Sequence, residues 1–233
     1  MIETFKKLFI ASLAICWTLP PGIAYSGTIK GSVTYSGKIA TPPAHKTGKY
    51  KKACGPEVAN ETIVMDKNGL KNVVVSVSGK GLQGKPREYV MDQKNCRYEP
   101  HVVAMPKGST LEIRSSDPFN HNIHTYSFDN DPINLMFTPG QTVDQQFDEP
   151  EIIKVECDLH SWMSSWIHVA ENEFFALSKE GGTFEIPNLP PGTYTLNAWH
   201  EVLGSAKQSV KVGDGVSEVN FDFPQIAPQV SKK

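Results

Sequence analysis

Glycine and proline divide this chain into short segments rich in β-branched and aromatic residues. The 233 residues include 18 glycines and 17 prolines, and no segment after the first 26 residues sustains a helical period for three turns. Clusters of Gly, Pro, Asn and Asp predict turns at 67–69, 106–108, 117–118, 139–140, 181–182, 189–192 and 213–215. Many short strands at near-regular spacing are typical of antiparallel sandwiches and barrels. The sequence therefore predicts an all-β protein.

The segments between these turns have strand composition, and the first of them alternates apolar and polar residues. The predicted strands are 28–35, 73–77, 111–114, 142–147, 152–155, 166–169, 183–186, 193–198 and 216–223. His121 begins a further strand-like segment.

Residues 1–26 have the pattern of a signal peptide. Two lysines precede an apolar run at 8–17 that is too short to span a membrane, and small residues predict cleavage after Ser26. The rival interpretation is a lipoprotein signal at Cys16, which the bulky Ile15 disfavours. No later stretch approaches 18 apolar residues, so we expect an exported protein, periplasmic or extracellular, with no membrane span in the mature chain.

The charge of the chain argues against two classes of partner. The signal segment carries two lysines and one glutamate, so its removal changes the formal charge from −2 to −3. Nucleic acids and anionic membranes both call for a basic patch. We therefore expect neither as a partner.

If the protein is exported, its cysteines are expected to have different roles. Loss of Cys16 leaves Cys54, Cys96 and Cys157, an odd number in an oxidising compartment. Cys54 and Cys96 stand in polar, loop-like contexts and predict a structural disulfide. Cys157 is then left as an unpaired thiol, and its role needs an explanation.

Cys157 ends a strand-like run and is followed within six residues by His160 and Met163. A thiolate, imidazoles and a thioether are the ligands that copper selects in electron-transfer sites, where two His and one Cys lie in a plane with a weak axial Met. The second histidine must come from elsewhere in the chain, and His121 is the candidate. His124 is the alternative, either as a ligand in its place or at the rim of the site.

Residues 98–169 resemble the cupredoxin family of type 1 blue copper proteins. The likeness rests, in order, on Tyr98-Glu-Pro, Lys107-Gly108, Asp117, His121-Asn122-Ile123 and Cys157-x-x-His160-x-x-Met163. The order is similar to that of plastocyanin, and the short loop is more similar to that of amicyanin. The resemblance implies a Greek-key β-sandwich holding one type 1 copper.

This resemblance also implies roles for individual residues. The copper ligands would be His121, Cys157, His160 and Met163, with Asn122 joining the two ligand loops by hydrogen bonds. The sequence departs from the family at Leu159, where Pro is usual, and at Asp158, where Ser or Thr is usual. We expect the added anion of Asp158 to lower the reduction potential.

Residues 181–200 resemble the regulatory-domain module of carboxypeptidases, a transthyretin-like β-sandwich. Gly31-Ser-Val33 and the segment 69–73 fit the early strands of that module. The module is non-catalytic in its relatives, so the resemblance brings no peptidase activity.

These resemblances predict an organisation along the chain: a signal peptide at 1–26, an N-terminal β region at 27–92, a cupredoxin-like copper module at 93–171, a carboxypeptidase regulatory-like module at 172–224 and a tail at 225–233. Two arrangements stay open. Either two sandwiches follow in series, or both ends form one sandwich into which the copper module is inserted.

The predicted function is one-electron transfer by an exported mononuclear copper protein. We expect the electron to pass through an exposed edge of the His160 imidazole to a redox partner bound at a small, transient interface. The alternative is copper capture or delivery, or a surface-binding module in which copper is structural. An enzyme is not expected, since a multicopper oxidase needs His-x-His pairs that the sequence lacks.

Overall fold

The computed structural model describes residues 26–37 and 42–224. The predicted signal sequence up to residue 25, with Cys16, and the predicted tail at 225–233 lie outside the described residues. Almost all regular structure in the described chain is β-strand, which confirms the predicted all-β class. None of its helices has the length and apolar character needed to cross a membrane.

The strands fall into three consecutive groups along the chain. The first group is β1 (Gly27–Tyr35), β2 (His45–Lys46), a 3-10 turn (Gly48–Tyr50), α1 (Lys51–Cys54), β3 (Glu57–Val58), β4 (Met65–Asp66), β5 (Gly69–Leu70) and β6 (Val74–Ser78). The second group is β7 (Glu88–Lys94), β8 (Arg97–Glu99), β9 (Val102–Pro106), β10 (Ser109–Ser115), β11 (His121–Tyr126), β12 (Asn134–Phe137), β13 (Thr142–Phe147), β14 (Glu151–Glu156) and β15 (Ser164–Ala170). The third group is β16 (Phe175–Leu177), a 3-10 turn (Glu180–Gly182), β17 (Thr183–Leu189), β18 (Gly192–His200), β19 (Gly204–Val212), β20 (Val216–Glu218) and β21 (Phe221–Phe223).

The first and third groups together build one β-sandwich. β1 pairs antiparallel with β17 and β5 and parallel with β20 and β21, and β4 extends the sheet beyond β5. The facing sheet has the order β16-β6-β18-β19. Ile29 and Val33 of β1 share one buried core with Val75 and Leu196 of the facing sheet. Strands from both sides of the second group are therefore packed into a single unit.

Gly31 allows the C-terminal strands to lie against β1. A Cβ atom at residue 31 would lie 1.7 Å from the carbonyl oxygen of Val219, in the link between β20 and β21. The same link is fixed by a 2.9 Å hydrogen bond from the Val219 N–H to the Lys30 carbonyl. Any larger residue at position 31 would push this link away and disturb the pairing on this side of β1.

The second group forms a separate β-sandwich of two sheets, ordered β13-β10-β7-β8 and β12-β11-β14-β15-β9. Its core includes Leu111 and Ile123, both fully buried. β7 begins before the predicted boundary at 93, because its first residue, Glu88, is already in register with Thr110 of β10. This sandwich contains all four predicted metal ligands.

The chain enters and leaves the second sandwich at one place. Arg87, just before β7, forms a 2.9 Å ion pair with Glu173, just after β15. A Cβ atom on Gly84 would lie 3.0 Å from the Glu173 backbone nitrogen, so the two crossing segments run side by side.

An apolar cluster and a buried polar pair join the two sandwiches. Trp199 of β18 belongs to a cluster with Val102 and other residues of β6, β9, β15 and β16. Beside it, Glu201 accepts a 2.8 Å hydrogen bond from the Trp166 indole and pairs with His101, whose side chain is 4% exposed. Burial alone would lower the pKa of His101, but the hydrogen bond and charge of Glu201 outweigh it and raise that pKa.

Candidate metal centre

The loop between β14 and β15 places Cys157, His160 and Met163 close together. The His160 N–H donates to the Cys157 carbonyl at 3.2 Å, and the Met163 N–H donates to the His160 carbonyl at 2.8 Å. The Cys157 N–H closes the loop by donating to the Met163 carbonyl at 3.0 Å. These three backbone bonds fix the loop, because each side chain is attached to a residue whose backbone is already paired.

Three donor atoms meet at the end of this sandwich. Nδ1 of His121 lies 3.1 Å from Nδ1 of His160, and that nitrogen lies 3.6 Å from Sγ of Cys157. The three donor atoms all lie within 4.8 Å of one another, and all three side chains are buried. Bonds of about 2.0–2.3 Å from nitrogen and sulfur to a first-row metal separate donors by distances of this size. The residues therefore fit a small transition-metal ion.

Asp117 orients His121 from the opposite side of its ring. The Asp117 carboxylate accepts a 2.9 Å hydrogen bond from Nε2 of His121, which leaves Nδ1 free to bind a metal. It also accepts the backbone N–H groups of Asn95 and Cys96, each at 2.8 Å. The carboxylate is thus held by two backbone groups and holds the imidazole in one orientation.

Asn122 connects the strand of His121 to the loop of Cys157. Its side-chain oxygen accepts the Asp158 N–H at 2.7 Å, and its amide donates to the Asp158 carboxylate at 2.9 Å and to Asn134 at 3.1 Å. The His124 ring also forms a hydrogen bond of 3.1 Å with the same Asp158 carboxylate. Asp158 is therefore the point where the two segments are joined.

The surroundings keep the three donors uncharged before metal binds. Burial lowers the pKa of His121, with Asp117 opposing the shift, and burial together with the nearby His121 lowers the pKa of His160 to about 4. Burial raises the pKa of the Cys157 thiol, although backbone N–H groups around the sulfur oppose this. A metal would meet two neutral imidazoles and would have to displace the proton of the thiol.

The remaining predicted residues lie at different distances from this centre. Met163 is 2% exposed and packs in the same apolar core as Cys157. His124 is outside the group of three donors; its ring stacks on Tyr126 at 4.5 Å, and it is partly exposed. His124 is thus placed at the rim, bound to Asp158.

The predicted disulfide between Cys54 and Cys96 is confirmed, and the third described cysteine, Cys157, is free. The disulfide fastens a segment that we call the cap, residues 45–58, which contains the β2–β3 ladder, the first 3-10 turn and α1. The cap is attached beside the metal centre, because the Cys96 N–H donates to the carboxylate of Asp117.

The expected exposure of His160 is wrong. His160 is only 2% exposed, because Tyr50 of the cap sets its ring against the imidazole at a tilt of 64° with 4.4 Å between centroids. Trp162 and Phe119 lie on other sides of the imidazole, with centroids 5.3 Å and 6.4 Å away. The sequence alone did not identify Tyr50, although the predicted disulfide four residues further on was a signal that this segment lies near residue 96.

One short motif at the far end of β15 does not form a metal centre. His168 and Glu171 have the His-x-x-Glu spacing of some zinc sites. His168 is buried in β15, whereas Glu171 follows the end of that strand and pairs with Lys107 at 2.7 Å. The two side chains therefore do not act together.

Comparison with known proteins gives partial structural likenesses. No protein-family model and no curated protein matches the sequence. Among solved structures, the chain is similar to a purple cupredoxin from Nitrosopumilus maritimus, with 20% identity and a TM-score of 0.31 over 35% of this chain and 99% of that one. It is also similar to a copper-containing nitrite reductase from Thermus scotoductus SA-01, with 21% identity and a TM-score of 0.35 over 42% of this chain and 25% of that one. An amicyanin variant in its Cu(I) form matches with 16% identity and a TM-score of 0.33 over 41% of this chain and 98% of that one.

Proposed function

We propose that this chain is an exported mononuclear copper protein that carries single electrons. The observation that supports this most is the convergence of Nδ1 of His121, Nδ1 of His160 and Sγ of Cys157 in a buried group. One thiolate and two imidazoles form the donor set that copper favours in electron-transfer sites. In this proposal Met163, buried in the same apolar core as Cys157, would supply a weaker fourth donor.

Bound copper would supply a reversible one-electron couple between Cu(II) and Cu(I). The residues of the chain would keep the donor atoms in place in both oxidation states. Asp117 fixes the tautomer and orientation of His121, and the paired backbone of the loop fixes Cys157 and His160. Burial excludes water from all three donors, which reduces the reorganisation that accompanies electron transfer.

The rest of the chain fits a carrier more closely than an enzyme in this proposal. Tyr50, Phe119 and Trp162 surround His160, so a substrate molecule would have no direct approach to that side of the centre. We assign residues 1–26 to export and the first sandwich to the transthyretin-like class suggested by the sequence. A transient redox protein in the periplasm or outside the cell would be the partner.

The test is a copper titration of the purified, metal-free protein. The proposal expects one equivalent of Cu(II) to give an intense visible thiolate-to-copper absorption band, and voltammetry to give one reversible one-electron wave. A copper-loaded protein that is colourless and electrochemically silent would refute electron transfer. It would favour the alternative in which the chain captures, delivers or merely holds copper.

A further inference from the structure

The cap carries a concentration of positive charge that the copper centre itself does not need. The cap, residues 45–58, includes four lysines and a single acidic residue, Glu57, in a chain whose formal charge is −2. Lys46 pairs with Glu57, but Lys49, Lys51 and Lys52 are exposed and form no ion pair with the described part of the chain. Three unpaired lysines in one short turn are unfavourable for the free protein, because like charges repel one another.

The cap is held directly over the candidate metal centre. The ammonium group of Lys49 lies 4.9 Å from the centroid of the Tyr50 ring, and that ring is in edge contact with His160. The disulfide at Cys54 and the β2–β3 ladder fix the two ends of the turn. The positive charge therefore has a defined position, one aromatic ring away from a candidate ligand.

This position determines what another molecule meets when it approaches that side of the centre. His160 is buried, so the contact surface is the cap rather than the imidazole. Fixed charges of one sign steer molecules of opposite sign and raise association rates by about 10–1,000-fold at low ionic strength. A small basic patch on an otherwise acidic protein suits a weak, transient complex with acidic side chains on a protein surface better than a nucleic acid, which needs a more extended basic face.

We propose that the cap is the docking surface for an acidic redox protein, with Lys49, Lys51 and Lys52 as its charged contacts and Tyr50 between the partner and His160. The partner and the centre would exchange one electron, the donor being oxidised as the acceptor is reduced. This inference rests on the proposed function for the identity of the partner. The binding of an acidic surface does not depend on copper.

The experiment measures binding and electron transfer separately. Binding of poly-L-glutamate to the metal-free protein is followed by calorimetry. Stopped flow follows the oxidation of the Cu(I) protein by ferricyanide, which gains the one electron that copper loses and becomes ferrocyanide. A cationic cobalt(III) tris-phenanthroline complex serves as the comparison oxidant. The test variant combines Lys49→Glu, Lys51→Glu and Lys52→Glu, and a second combines the same positions as Gln.

A matched control separates local charge from net charge. Lys80→Glu, Lys207→Glu and Lys211→Glu together change the net charge equally, at exposed sites on the first sandwich. We expect the cap variant with Glu to lose measurable binding of poly-L-glutamate and to react with ferricyanide at least tenfold more slowly at low salt. The variant with Gln should show a smaller loss of both. The control variant should stay within about twofold of the parent in both measurements. The cationic oxidant should react faster with the cap variant.

Several outcomes would overturn the docking proposal. Equal effects of the cap and control variants would mean that only net charge matters, and unchanged binding in both would mean that the cap is not involved. Tighter binding to vesicles of phosphatidylglycerol than to poly-L-glutamate would assign the cap to a membrane surface. Absence of a visible copper band with intact poly-L-glutamate binding would refute the proposed function and leave the docking surface standing.

Discussion

The side-chain oxygen of Asn122 lies 2.7 Å from the backbone nitrogen of Asp158 and accepts its hydrogen bond. Asn122 follows His121 directly and Asp158 follows Cys157 directly, so this bond sets the separation of two candidate ligands that are 36 residues apart. The amide group of Asn122 reinforces it by donating to the carboxylate of the same residue. The geometry of the centre therefore depends on a side chain that does not itself belong to the donor set.

Replacement of Asn122 by alanine should weaken both the fold and the centre. The Asp158 N–H would lose its partner, which costs about 1–3 kcal/mol in the free energy of unfolding. Copper affinity should fall about 10–100-fold, as is usual when a partner of a ligand loop is removed. Urea denaturation and a chelator competition measure the two effects, with Gln145→Ala as the control because this amide bonds only the neighbouring backbone. Unchanged copper affinity would show that the loops are positioned without Asn122.

Replacement of Asp117 by asparagine tests the orientation of His121. The Asp117 carboxylate accepts hydrogen bonds from the N–H groups of Asn95, Cys96 and the His121 ring. An asparagine amide has one oxygen and one NH2 group, so at least one of these N–H groups would face the NH2 group and lose its acceptor. We expect a 10–100-fold loss of copper affinity and a shifted reduction potential. The exposed Asp144→Asn removes the same charge on β13 and should change neither quantity. A potential and an affinity that both match the parent would rule out the positioning role.

Replacement of Cys157 by serine separates a ligand from a structural thiol. Serine is nearly the same size, but its hydroxyl is not the soft ligand that gives a thiolate-to-copper band. The variant should lose the visible band and retain its circular dichroism spectrum and most of its stability. A variant that fails to fold would instead assign Cys157 to the core, where its 3% exposure would also place it.

Removal of the disulfide tests the attachment of the cap. The double replacement Cys54→Ala and Cys96→Ala should lower the free energy of unfolding by about 2–5 kcal/mol, since the bridge joins residues 42 positions apart. Backbone amides at 157–163 should also exchange with deuterium faster, because Tyr50 would no longer be held against His160. Lower stability with unchanged exchange in that loop would show that the cap stays in place without its covalent bond.

His168 should make the metal-free protein less stable in acid. Burial lowers its pKa to about 4, and Nδ1 has no hydrogen-bond partner among the described residues. The unfolded chain, with a histidine pKa of about 6.5, binds the proton more readily, so stability is lost as the pH falls from about 6.5 towards 4. His168→Leu should reduce the stability lost between pH 7.5 and pH 5 by about 2 kcal/mol in urea denaturation. An identical pH dependence in parent and variant would mean that His168 is not buried as a neutral group.

Strands with a clear alternation or a β-branched run could be predicted from the sequence, and others could not. The prediction of 142–147 coincides with β13, and 28–35 misses only the first residue of β1. The sequence does not predict β7, β9 or β19, and it predicts one strand at 216–223 where the chain forms β20 and β21. β9 contains Met and Pro, and β19 is largely exposed with several polar residues, so their strand structure is due to pairing with neighbours that composition does not reveal.

The residue types and their spacing suggest the candidate ligands, and the structure brings three of them, His121, Cys157 and His160, within 4.8 Å of one another. The cover over His160 could not be predicted, because it depends on a contact between residues 110 positions apart, Tyr50 and His160. Nothing in the local sequence around either residue encodes that contact. Only the disulfide gives a long-range constraint of this kind before the fold is known.

The shared entry and exit of the second sandwich, marked by Arg87 and Glu173, have a consequence for biosynthesis. All strands of the second sandwich lie between residues 88 and 170, whereas β1 receives its neighbours β17, β20 and β21 only from residues 183–223. As the chain becomes available from its N-terminus, the second sandwich can complete its hydrogen bonding while β1 of the first sandwich still lacks most of its sheet. The first sandwich must then close across a long stretch of chain, which slows its folding, but the folded second sandwich shortens that distance by bringing its own two ends together.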